Sequence, residues 1–337
     1  MATKKDKSTK AGLFRFLTFA PEAREDGQTS SPVEGRFRYF GKTFGKNNGQ
    51  LMLANALFIV TLLPLLAVFV ILSVFGAENL SYKINGIIDK PYFLSGVGIG
   101  MSNASDVISA KIQMLSVYSW AFLFAGIGVF ITGIGLAGMM HLCVKFIWND
   151  SFVTKKDSYG NDVPRVIVEF FRGIKKYWWQ TLIVTLIAGI IIGGTGNIFV
   201  YFLGKFWAGT AGAGEWILII LTSIVAVVGL VFVLLLLPTV VMYDINFAQK
   251  MKNAIIITLQ MPLQNLFLLI AVAAPFVIAS VTSGFISIIF VALLLVFGCP
   301  VYGLMVSNYM QYFSEKIITP VYIAQTQKAK KNTKKRK

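Results

Sequence analysis

The chain has 337 residues, 56% hydrophobic and only 14% charged, with a formal net charge of +16 and a mean hydropathy of +0.70. A soluble domain carries about 25% charged and about 45–50% apolar residues, so these proportions exclude an ordinary globular protein and point to a polytopic helical membrane protein. One histidine, His141, and two cysteines, Cys143 and Cys299, argue against a metal site of paired ligands and against a disulfide framework.

Residues 1–35 open on the polar MATKKDKSTK and read as a disordered cytoplasmic region without a signal peptide. The segment AGLFRFLTFA (11–20) is too short to span and is interrupted by Arg15. RFRYFGKTFGKNNGQ then aligns Phe37, Phe40 and Phe44 among Arg36, Arg38, Lys42 and Lys46, a short basic amphipathic lead-in. It feeds a first expected span at 51–75, and a long outside loop follows at 76–115.

The second span is expected at 116–143. It contains GIGLAG, residues 133–138, which matches the G-x-G-x-x-G of dinucleotide-binding turns, and Asp157 follows about twenty residues later. That motif binds a pyrophosphate only between a strand and a helix of a βαβ unit. Here an apolar run of helical length surrounds it, so a nucleotide is not expected. At about 100° per residue, Gly126, Gly133 and Ala137 share one stripe, while Gly128 and Gly135 lie nearly opposite. Small residues let membrane helices approach closely, so both stripes read as packing surfaces. Gly189 and Gly193 form a similar pair in the third span, expected at 178–204.

Ahead of that span, DVPRVIVEFFRGIKKYWWQ places Val163, Val166, Ile167, Phe170, Phe171, Ile174, Tyr177 and Trp178 at helical spacing. Arg165, Glu169, Arg172, Lys175 and Lys176 take the other face, with Asp162 as candidate cap and Pro164 in the first turn. The expectation is an interfacial helix that turns into span three at Trp178 and Trp179, which sit at headgroup level beside Lys175 and Lys176. DINFAQKMKNAIIITLQMP repeats the theme after span four (216–243), with Asp244 as cap and Phe247, Met251, Ala254 and Ile255 aligned. Spans five and six are expected at 263–281 and 285–307, joined by SVTSG (280–284). A basic lead-in followed by a helical hairpin would thus occur three times. Pro64, Pro238, Pro275 and Pro300 interrupt spans one, four, five and six, and read as packing kinks in preference to broken helices flanking a cytoplasmic-side vestibule.

Orientation follows the distribution of Lys and Arg. The loops at 76–115 and 205–215 hold Lys83, Lys90, Lys111 and Lys205, whereas Lys145, Lys155, Lys156, Arg165, Arg172, Lys175, Lys176, Lys250 and Lys252 lie in or near the opposite loops. Nine against four places both termini in the cytoplasm. The cytoplasmic tail, 311–337, ends in KAKKNTKKRK, whose charge attracts anionic lipid and needs no nucleic acid to explain it.

The fold expected is an all-α six-helix transmembrane bundle over 36–310, with amphipathic interfacial helices on its cytoplasmic side. Its spans carry almost no ionisable residue apart from His141 and Lys145 near the end of span two. A buried proton path or intramembrane catalytic dyad would need more. No catalytic, cofactor-binding or metal-binding residue is therefore assigned, and the chain is not expected to be an enzyme.

The block FFRGIKKYWWQTLIVTLI, followed by LPTVVMYDINFAQKMKNAIIITLQMPLQNL, resembles the YesL-like family of bacterial membrane proteins of unknown function. The shared features are Phe170, Phe171, Lys175, Lys176, Trp178, Trp179 and Gln180, then Pro238, Tyr243, Lys252, Asn253, Ala254, Pro262 and Leu263. GQLMLANALFIVTLLPLL, with Asn55 and Pro64, is similar to that family's first span. The resemblance covers roughly 36–310, although the loop at 76–115 is longer than compact members have. It implies a bacterial cytoplasmic-membrane protein, often encoded beside carbohydrate ABC-transport components, hence an accessory of sugar uptake. A stand-alone permease for a small neutral solute and a membrane-surface regulator are the alternatives.

Overall fold

Hydrocarbon offers backbone N–H and C=O groups no partner, so apolar runs of this length close their hydrogen bonds internally as helices. The computed structural model describes residues 35–84, 104–150, 152, 154–156, 162–281, 289 and 292–314. Its helices are α1 (Arg36–Ile84), α2 (Ala104–Trp148), α3 (Val166–Trp207), α4 (Ala213–Met242), α5 (Phe247–Gln260), α6 (Pro262–Val281) and α7 (Cys299–Phe313). A π-turn at Leu294–Gly298 leads into α7. Between α2 and α3 lies a two-stranded antiparallel ribbon, β1 (Thr154–Lys156) with β2 (Asp162–Pro164), in which Lys155 faces Val163.

Among the described residues, three helical segments are long and apolar enough to cross a membrane: Tyr118–Trp148, Val166–Trp207 and Ala213–Met242. A fourth crossing would arise if α5 and the start of α6, bent by 99° at Met261, formed one span. The first expected span runs along α1, whose side chains are described to Leu63 only. The N-terminal region to residue 34, the middle of the 76–115 loop, most of the SVTSG turn, the start of span six, Asp157 and the basic tail from 315 lie outside the described residues.

Several local expectations are corrected. The lead-in to span three is no separate element, since α3 is one helix of 42 residues. At about 1.5 Å per residue it reaches about 63 Å, twice the roughly 30 Å hydrocarbon thickness. Asp162 does not cap it. A residue before proline is driven into extended geometry, so Asp162 and Val163 pair in β2 and α3 begins after Arg165. Asp244 does not cap α5 either, because the N-cap position falls on Asn246, whose side chain makes no cap bond. The first lead-in merges into α1 across a kink at Asn47 (φ −115°, ψ 16°). The three lead-ins thus differ: kinked, continuous with its span, and broken from its span.

Helix ends are closed by chemistry the sequence carries. At the end of α2, Asn149 adopts φ 53°, its N–H bonds Phe146 O, and the Asp150 N–H bonds Lys145 O. At the end of α3, Gly209 (φ 68°) and Thr210 repeat the pattern on Phe206 O and Lys205 O. Both are Schellman ends, where Gly or Asn tolerates the left-handed turn.

The chain divides into two compact units. One comprises Met1–Phe58, Gly135–Thr181 and Val231–Lys337; the other comprises Ile59–Ile134 and Leu182–Leu230.

Candidate functional site

The first unit buries a carboxylate. Glu169 stands one turn into α3, completely shielded from solvent, in the buried stripe of Val166, Phe170, Gly173 and Tyr177. On α2, His141 and Lys145 are one turn apart and therefore share a face. His141 Nε2 lies 3.3 Å from Glu169 Oε2, and Lys145 Nζ is also 3.3 Å from that oxygen. Arg172, three residues along α3, donates to Oε1 at 2.9 Å. An unpaired charge in such a place would cost several kcal/mol, so the cluster is a locked contact between the two helices.

Glycine makes this contact fit. A Cβ placed on Gly173 would lie 2.5 Å from His141 Cβ, and one on Gly138 would lie 2.7 Å from Phe170 O. Gly138, the last glycine of GIGLAG, thus packs against a backbone in mid-helix. The nucleotide reading has neither its strand nor its turn there. The expected division of faces on α3 is corrected at one residue: Glu169, assigned to the charged face, is buried, while Ile167, Phe171 and Trp178 of the apolar face are exposed.

In the second unit, α2 and α3 meet again. A Cβ on Gly126 would sit 2.5 Å from Gly189 O and 3.4 Å from Gly193 Cα. Thr185 donates to Phe130 O across the pair at 3.1 Å, and the Ser119 hydroxyl donates to Asn197 Oδ1. Gly128, Gly133, Gly135 and Ala137 are all buried on α2. Lys175, Lys176, Trp178 and Trp179 are exposed on α3.

Sequence reading missed a third arrangement, around α5 in the first unit. The buried Lys250 donates to Val240 O at 2.7 Å and Gln180 Oε1 at 2.9 Å, while Tyr177 donates to Val241 O. The α4 end therefore meets a cation, which suits the negative pole of a helix. Burial lowers the Lys250 ammonium from 10.5 to about 8, with Asp244 opposing the shift and Lys176 adding to it. The bend after α5 is pinned by Asn265, whose Nδ2 donates to Ile257 O and Thr258 O while its Oδ1 accepts from the Tyr309 hydroxyl. Trp179 packs on Phe247 with ring centroids 5.5 Å apart, so α5 starts at the level of the exposed α3 tryptophans.

No His, Cys, Asp or Glu cluster able to hold a metal occurs among the described residues. No protein-family model matches the chain, and no curated protein or solved structure matches it either. Long apolar helices, closely packed through glycine, mark a predominantly helical protein of the multi-pass membrane class.

Proposed function

We propose that this is a six-span protein of the cytoplasmic membrane with both termini inside, related to the YesL-like proteins, and a non-enzymatic accessory or assembly partner of a carbohydrate ABC transport system. The observation that carries the non-enzymatic reading is the pairing of Glu169. This carboxylate is engaged by His141, Lys145 and Arg172 at a helix–helix contact. Such an arrangement suits holding two helices in register rather than handling a substrate. The exposed surface also favours membrane partners. In α4 only 17% of the most apolar window is buried, against 44% in α2 and 39% in α3. Trp216, Ile220, Ile224 and Val228 leave one side of α4 available to lipid or to another subunit.

Purification in mild detergent followed by mass spectrometry tests the role. Co-purification of an ABC permease or its binding protein is the expected result. Flux of a neutral solute through liposomes holding this protein alone would overturn it in favour of a stand-alone permease.

A further inference from the structure

We propose that the exposed face of α3 around Lys175, Lys176, Trp178 and Trp179 is a binding surface for an anionic phospholipid, with the two ammonium groups on the lipid phosphate. The proposal rests on the reading of the chain as a membrane protein and adds a partner to it.

The order of residues along one helix face carries the argument. Steps of three or four residues bring Arg172, Lys176 and Trp179 onto one side of α3, with Lys175 beside them, and Trp178 follows in the same turn. All five are exposed. Read along the axis, that turn presents its cations first and its indoles next. A phospholipid has the same order of phosphate and glycerol level. Trp at the headgroup level with Lys or Arg just outside it is the usual signature of a bilayer boundary.

Charge complementarity points to an anionic lipid. No carboxylate pairs with Lys175 or Lys176 among the described residues; the nearby Glu169 is buried, and its pairs are made with His141, Lys145 and Arg172. Lys176 Nζ stands 5.1 Å from the Tyr177 ring centroid, a contact that leaves its N–H groups available to an acceptor. Behind the face, Trp179 is backed by Phe247 of α5, so the indole is held rather than swinging freely. A rigid aromatic beside two neighbouring cations is a preformed seat for a phosphodiester.

Native mass spectrometry of the full chain, equilibrated with mixed phosphatidylglycerol and phosphatidylcholine, tests this. The intact protein should retain phosphatidylglycerol in preference by about thirtyfold, which is about 2 kcal/mol for two lysines at a membrane surface. The Lys175→Gln/Lys176→Gln variant should lose most of that preference, while a chain lacking 328–337 should keep it. Unchanged preference in the double variant would overturn the proposal, as would a preference that disappears with the tail. A preference for acidic protein or RNA over phosphatidylglycerol in competition would equally overturn it. Retained lipid is counted without a transporter present, so failure of the accessory role leaves this result standing, and the reverse also holds.

Discussion

At the scale of single residues, the most consequential side chain is Glu169. It is the sole carboxylate between Asp162 and Glu215, and it is shared by three cationic or titratable partners in a buried place. Glu169→Gln keeps the shape and removes the charge, stranding part of the Lys145 compensation. Breaking a buried pair from one side costs about 3–5 kcal/mol, so a large fall in the unfolding midpoint in detergent is expected. Arg172 has a side chain 45% exposed. Its replacement by alanine should therefore cost less than about 1 kcal/mol, as for an exposed ion pair. Equal losses in the two variants would show that Glu169 is not the centre of the cluster. Sequence reading placed Glu169 on the charged face with Arg165, Arg172, Lys175 and Lys176, because helical periodicity alone left its rotation ambiguous where apolar residues nearly encircle the segment. The signal that could have resolved it was on another helix: His141 and Lys145, one turn apart at the end of an otherwise uncharged run, require a carboxylate nearby.

At the scale of elements, the pairing of α2 with α3 depends on backbone approach. Gly126 has no room for a side chain, whereas Gly194 faces open space within 4 Å. Gly126→Leu should abolish the folded monomer or lower its thermal midpoint in detergent sharply, while Gly194→Leu should change little. Similar behaviour of the two would remove close packing as the explanation. Most helices were legible from apolar run length, and α6 begins within a residue of the expected fifth span. Gly126, Gly189 and Gly193 were singled out by their small size and spacing alone. The unbroken continuation of α3 from its basic segment into the apolar run was not legible. Trp178 and Trp179 mark an interface by composition, and an interface does not require a bend. The elbow after α5 was equally hidden, since it depends on Asn265 reaching back to Ile257 and Thr258 and on Tyr309 from a distant helix.

At the scale of the whole molecule, α2, α3 and α4 each hold a segment long and apolar enough to cross a bilayer, and the proposed orientation puts both termini in the cytoplasm. Under the proposed reading, apolar length marks the segments able to cross, and the excess of Lys and Arg is the sequence feature from which the side is inferred. What the protein works with is less legible, because partners in a membrane are chosen by exposed surfaces and not by motifs. Cysteine labelling in intact cells tests the central claim most directly. Thr210 lies in the turn between α3 and α4, Asn246 follows α4, and both are exposed. Thr210→Cys should react with an impermeant thiol reagent from outside, and Asn246→Cys only after the membrane is opened. The reverse pattern would contradict the orientation, and reaction of both in intact cells would contradict the crossing of α4 itself.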